Sequence, residues 1–388
     1  METCSTPPRA FVTLGAVLLA VSVPGPVSAA ILQVGPQREF LSIATAASRA
    51  KNGDTVEVDA GEYLGDVAVW HQDDLKIRAI GGRAKLVAAG KAAEGKGIWV
   101  ISGGKIDIQG FDFIGAKVSD RNGAGIRLER GKLQVRDCVF SGNQNGILTS
   151  NDPNSVLQIE NSEFGNNGSG DGFSHNLYVG AIARLTVTGS YFHHAKLGHL
   201  LKSRAAENFI QYNRLTDEVG GRASYELDLP NGGLAYVIGN IVEQGSQAEN
   251  PTMISFGAEG YKWPRNELYL INNTLADDRP KPGKFLAVSD GPVSVTAINN
   301  LLVDGGSLEV PSNSKVSNNP SVDWDQFVRA SRLDYRLAPN AAVIGKAVDA
   351  GSANGISLNP SREYVHPRQT RALPSGIARS PGALQIRP

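Results

Sequence analysis

Three residues able to move protons or hold charge recur at one spacing: Tyr178, Lys202 and Glu226, each 24 positions after the last. Two histidines, His175 and His199, are also 24 apart. With His193 and His194 they put four of the chain's six histidines within 25 residues. Arg204 follows Lys202, Arg222 precedes Glu226, and Asp228 lies two beyond it. Such a set suits proton abstraction beside a carboxylate, which needs a base, a positive group to neutralise the carboxylate and an acid for the leaving oxygen. Lys202, crowded by Arg204, suits the base, Tyr178 or a histidine the acid, and an arginine the neutraliser. Proton return without bond cleavage would be epimerisation. Glu226 and Asp228 offer a second chemistry. Two carboxylates at i and i+2 of a strand stand roughly 6.5 to 7 Å apart, near the 6.5 to 9.5 Å or so of inverting glycosidases. Carboxylates can also take Ca²⁺, whereas the histidines lack a zinc-ligand spacing.

A constant spacing places residues together only if the chain itself repeats. A motif of apolar-x-apolar, two small or polar residues and a large apolar residue does recur: Leu133, Val135, Cys138, Phe140; Leu157, Ile159, Ser162, Phe164; Leu185, Val187, Ser190, Phe192. Later copies carry Asn213, Asn240, Asn273 and Asn300 at the small position. The closing apolar residues are Phe113, Phe140, Phe164, Phe192, Leu215, Val242, Leu275 and Leu302. No unit holds ten residues of helical period, which argues against leucine-rich repeats, and propeller blades need about 40 residues. The fold expected is all-β, a right-handed parallel β-helix over residues 31–317, with the asparagines stacked as structural amide ladders. Leu41 to Lys51 reads as a helix capping the open end, and residues 318–388, where the repeat is lost, as a segment packed on the last coils.

The composition allows this and excludes other classes. Lys plus Arg and Asp plus Glu are 38 each, so no net charge draws the chain to nucleic acid or anionic membranes. Arg9, the apolar run Phe11 to Val23 and the small residues Val27 to Ala30 have the layout of a secretory signal, so residues 1–30 are expected to be removed on export to a periplasm or beyond. The run is too short to span about 30 Å of hydrocarbon, and no membrane span is expected in the mature chain. Cys138 is then its only cysteine, expected as a small buried residue.

Residues Asn52 to Tyr63, reading NGDTVEVDAGEY, resemble the opening of the pectate-lyase-like β-helix superfamily. Within it the chain is most similar to the chondroitinase B and alginate lyase family, polysaccharide lyase family 6. That resemblance rests on the preceding helix, the Gly-Asp-Thr, the Gly-x-Tyr, and Lys202-Ser203 followed by Asn208 and Asn213. Asp334 to Pro339 and Ser380 to Ala383 look like the closing segment of many exported β-helix proteins. The resemblance implies a lyase with Lys202 as a catalytic residue. The family's catalytic Arg, one coil later, is matched here by Asp228 or its neighbour, and the Asn-Thr-Asp and Gly-His-Gly signatures of polygalacturonases are missing.

Solenoid sites form on the outer face of a sheet, where coils stack about 4.8 Å apart. Alternation over residues 176–179, 199–203 and 225–229 puts Asn176, Tyr178, Leu200, Lys202, Glu226 and Asp228 outside, with His175 and His199 lining the groove from a turn. Arg204, Arg222, Tyr261 and Trp263 are the candidate sugar contacts, the last two in a long loop and able to stack on sugar rings. Residue by residue the competing reading is structural: polar strand faces, Lys–Glu pairs across a sheet and loop aromatics packed on their own base are all ordinary. The function expected is lyase or epimerase on an acidic polysaccharide by a monomer. The alternatives are a non-catalytic polysaccharide-binding or export-assisting protein, then a glycoside hydrolase.

Overall fold

The computed structural model describes residues 1–8, 10, 29–376 and 378–385. The core of the expected export signal, residues 9 and 11–28, lies outside them. From Ile31 onward the alternation of apolar and polar residues builds a parallel β-solenoid of about ten turns. Each coil contributes to three stacks. One coil supplies Lys132–Arg136 to the first, Val139–Ser141 to the second and Asn145–Thr149 to the third. The first two stacks form one sheet, because Thr55–Leu64 and Leu75–Val87 run through both. The third is a separate ten-stranded sheet whose strands follow one another in chain order.

Side-chain size and hydrogen bonding explain the repeat. The closing apolar residue of each coil points inward, and Phe113, Phe140, Phe164 and Phe192 stack with centroids 5.0, 4.6 and 4.7 Å apart. Between the first two stacks the chain turns sharply, which would strand backbone amides inside the protein. Asn213, Asn240, Asn273 and Asn300 answer this, each amide nitrogen donating to the next asparagine at 3.0–3.1 Å, with Asn300 donating to Asn319 at 2.8 Å. Ser190 and Ser162 extend the row back to Cys138, whose amide donates to Ser162 Oγ. Cys138 is buried as expected, and burial pushes its thiol up to about 12, so it is not a ready nucleophile.

The end cap is a short helix, Ile43–Arg49, inside the expected span. Ser42 caps it, Asp66 accepts from the Ile43 and Ala44 amides, and Ile43, Ala46 and Ala47 cover the first coil. The solenoid register persists to Val322. Beyond it the chain runs back along the flank. Ser361 N donates to Tyr212 Oη, and Arg368 pairs with Glu163 at 2.9 Å and Asp137 at 3.3 Å. No helix among the described residues is long and apolar enough to cross a membrane.

Candidate functional site

The ten-stranded sheet turns one row of residues outward, one per coil. Its register pairs Arg127 with Leu148, Leu148 with Tyr178, Tyr178 with Lys202, Lys202 with Asp228 and Asp228 with Ser255. Each alternate neighbour, from Ile147 through Leu177, Leu201 and Leu227 to Ile254, points into the core. Tyr178, Lys202 and Asp228 therefore meet on one face, as expected.

Three other expected placements are wrong. Asn176, Leu200 and Glu226 are not outside but fully buried. The strands here are only three residues long, Leu177–Val179, Leu201–Ser203 and Leu227–Leu229. The residue before each strand still belongs to the corner of the coil, where strict alternation has not begun. Asn176 Oδ1 accepts from Asn167, which accepts from Asn143, forming a second amide ladder at that corner. Glu226 follows Leu200 in the same inner row, and neither of its carboxyl oxygens has a hydrogen-bond partner. The correct partner of Lys202 lies 26 residues on, not 24. Glu226 and Asp228 consequently do not share a face, and the paired-carboxylate geometry for glycoside hydrolysis is lost.

Lys202 is deeply seated, its side chain 11 % exposed. Its Nζ lies 3.2 Å from Asp228 Oδ2 and 3.1 Å from Glu259 Oε1. Arg204 Nη2 donates to both oxygens of the same Glu259, at 2.8 and 2.7 Å, and Nη1 donates to Tyr178 Oη at 2.7 Å. Its guanidinium also lies 5.2 Å from the Tyr178 ring centre. Burial opposes ionisation of Glu259, but the bonds from Arg204 and Lys202 outweigh it and hold its carboxyl below the usual range. On Asp228 the same effect wins: burial raises its carboxyl despite the opposing charge of Lys202. Asp228 Oδ1 has no partner. Glu259 is the one strong contributor that the sequence reading missed. It sits 57 residues after Lys202 in a loop two coils away, beyond the reach of a one-coil spacing.

His199 Nε2 is 4.0 Å from Asp228 Oδ2, and the His175 ring lies 4.3 Å from His199. His175 Nδ1 accepts the His199 backbone N–H. Burial, with the Lys202 and Arg204 charges adding to it, pushes His199 down to about 3. His175 is pushed well below its usual value by burial and by His199. Both are neutral imidazoles near neutral pH, unfit to donate a proton as imidazolium. His193 and His194 belong elsewhere, on the second stack, where their Nδ1 atoms are 2.8 Å apart and His193 faces Glu163.

The expected sugar contacts divide. Arg204 is in the cluster. Arg222 pairs instead with Glu249 at 2.7 Å. Trp263 reaches the cluster from the loop, its indole donating to the Arg204 carbonyl. Tyr261 packs on its own base: its hydroxyl donates to the Ser289 carbonyl, and a Cβ on Gly257, which has a φ of 83°, would come within 2.5 Å of its ring. No group of three or more His, Cys, Asp or Glu side chains among the described residues is arranged to hold a metal ion.

Residues 91–226 match the family model of the right-handed β-helix region. The crystal structure of pectate lyase Pel9A superposes with a TM-score of 0.65 and 13 % identity, over 93 % of this chain and 98 % of that one. The chain has the right-handed parallel β-helix fold, which it shares with that pectate lyase structure. No curated protein matches its sequence. At this identity the likeness fixes the fold and leaves the chemistry to the residues above.

Proposed function

We propose that this β-helix protein is exported and acts on an acidic polysaccharide at the outer face of the ten-stranded sheet, as a lyase or an epimerase. One observation carries the reading: Lys202 and Arg204 converge outward on one carboxylate, that of Glu259, while Arg204 also holds the Tyr178 hydroxyl beside them, the arrangement a bound uronate would need. Arg204 is the neutraliser of the sugar carboxylate. Lys202 in its neutral form is the base, and Asp228, 3.2 Å away, holds its amine in position. Tyr178 takes the acid role, since both nearby histidines are neutral. Pectate lyase Pel9A shares the fold, which supports a polysaccharide as the class of substrate.

The test is the ultraviolet absorbance of unsaturated uronides, followed with alginate, pectate and chondroitin, with and without Ca²⁺. A rise that disappears in Lys202→Ala supports a lyase. Silence on all substrates with no proton exchange beside the uronate carboxylate rejects both lyase and epimerase. A second reading, a non-catalytic binding protein, is favoured by the two carboxylates that already occupy Lys202. It predicts binding without turnover.

A further inference from the structure

The cluster around Lys202 is closed by a carboxylate that the ten-stranded sheet does not supply. Glu259 comes from the loop after Thr252–Phe256 and is the partner of two cations at once. It is also the least buried member. Its side chain is 45 % exposed, against 11 % for Lys202 and 19 % for Arg204. The loop backbone is fixed: the Glu259 amide donates to the Pro230 carbonyl, Lys262 N to Asn231 O, and Tyr261 is anchored on Ser289. The Glu259 side chain can therefore swing to solvent by rotation about its own bonds while the loop stays in place.

Rotation would leave Lys202 and Arg204 facing solvent with only buried Asp228 beneath them, a site one negative charge short. Hydrogen bonds from a charged donor to a carboxylate are short and about twice as strong as neutral ones, and here Arg204 Nη2 spans both oxygens while Lys202 Nζ meets one of them. A site that offers this grip to Glu259 offers it to any carboxylate of similar reach. We infer that Glu259 is a built-in stand-in for the substrate carboxylate, occupying the uronate subsite of Lys202 and Arg204 until an acidic sugar displaces it. This rests on the functional reading above and adds to it the subsite, the group recognised and a self-competition that sets affinity. Neutral sugars lack the group needed to displace Glu259, so the exchange also selects for uronides.

The test is calorimetric binding to the full chain at low salt, with glucuronate and trigalacturonate as acidic probes and maltotriose as the neutral one. Glu259→Gln keeps shape but removes the competing charge, so both acidic probes should bind roughly tenfold more tightly, about 1.4 kcal/mol. Maltotriose should not change. Adding Arg204→Ala to Glu259→Gln should abolish the gain. Glu259→Ala, which tolerates no substitute hydrogen bond, should show the same gain, and circular dichroism confirms that each variant is folded. Unchanged or weaker acidic binding in both Glu259 variants overturns the inference. The functional reading fails separately: the variants gain affinity for glucuronate, yet no polymer is bound or turned over by any form. Polymer turnover with no gain in the variants leaves that reading standing and removes only the stand-in.

Discussion

Replacing Glu226 with leucine should stabilise the protein. Glu226 lies in the inner corner row after Leu200, fully buried, with both carboxyl oxygens unpartnered. Burial raises its pKa well above the usual value, and Asp217 and Glu243 add to the shift. A buried polar atom without a partner costs about 1–3 kcal/mol, and a buried leucine side chain contributes about 2 kcal/mol. Strain from the fuller shape offsets part of this, leaving a gain of roughly 2 kcal/mol. Taking an unfolding entropy of about 2.1 cal/mol/K per residue, the melting temperature should rise by roughly 3 °C. The gain should grow with pH. A carboxyl whose folded pKa is raised contributes stability that is full below its unfolded pKa and is lost as pH rises through the folded value. Leucine has no such loss. The assay is calorimetric melting at several pH values, with uronide turnover measured alongside and expected to be unchanged. A melting temperature that falls at pH 8 would refute the reasoning, because it would mean that the carboxylate is held by a partner such as a bound cation.

Other outcomes follow from the same structure. Asp217 is raised to about 7 and Glu243 to about 8, each mainly by burial. Their stabilisation is complete below about pH 4 and is lost as pH climbs to about 8. The lowered pKa of His199, about 3, makes its contribution full above pH 6.5. Between pH 6.5 and 8 Asp217 and Glu243 should therefore remove about 2–3 kcal/mol of stability between them, at 1.36 kcal/mol per unit for each group still protonated, with Glu226 adding to the fall; a flat melting profile there would contradict it. Lys202→Ala should remove turnover while circular dichroism stays native, at a cost of about 1–2 kcal/mol, because Asp228 can protonate when its partner leaves. Asn240→Ala should cost roughly 3 kcal/mol or more by urea unfolding, since Asn240 donates to Ile210 and Asn273 and accepts from Asn213, and all three groups lose a partner.

The repeat was legible because every coil solves the same packing problem. A large apolar residue must fill the interior, and a small polar one must satisfy the turn beside it. Those requirements act on each coil separately, so they survive changes in loop length and show as Phe140, Phe164 and Phe192 beside Cys138, Ser162 and Ser190. The course of the chain after Val322 was not legible in this way. Arg368 reaches Glu163, 205 residues away, through contacts that no repeat announces.

The site depends on a finer quantity, the register between coils, and here spacing misled. Tyr178 and Lys202 are 24 apart and do pair. The next coil carries a longer turn, Asp217 to Tyr225, with Gly220 and Gly221 in it, and the partner of Lys202 slips to Asp228. Two residues leave the inward–outward parity unchanged, so Asp228 faces outward and Leu227 inward as the pattern requires. Glu226 keeps the 24-residue spacing but loses the strand, and a corner residue is free to turn into the core. The difference is chemical as well as geometric. Beside Lys202 the charge of the lysine counters the burial that raises the Asp228 carboxyl, while at the corner Glu226 meets Leu200 and the carboxyls of Asp217 and Glu243, which add to the effect of burial. A constant period thus identifies which coils meet, but the length of each turn decides which side chains meet, and catalytic placement follows the second.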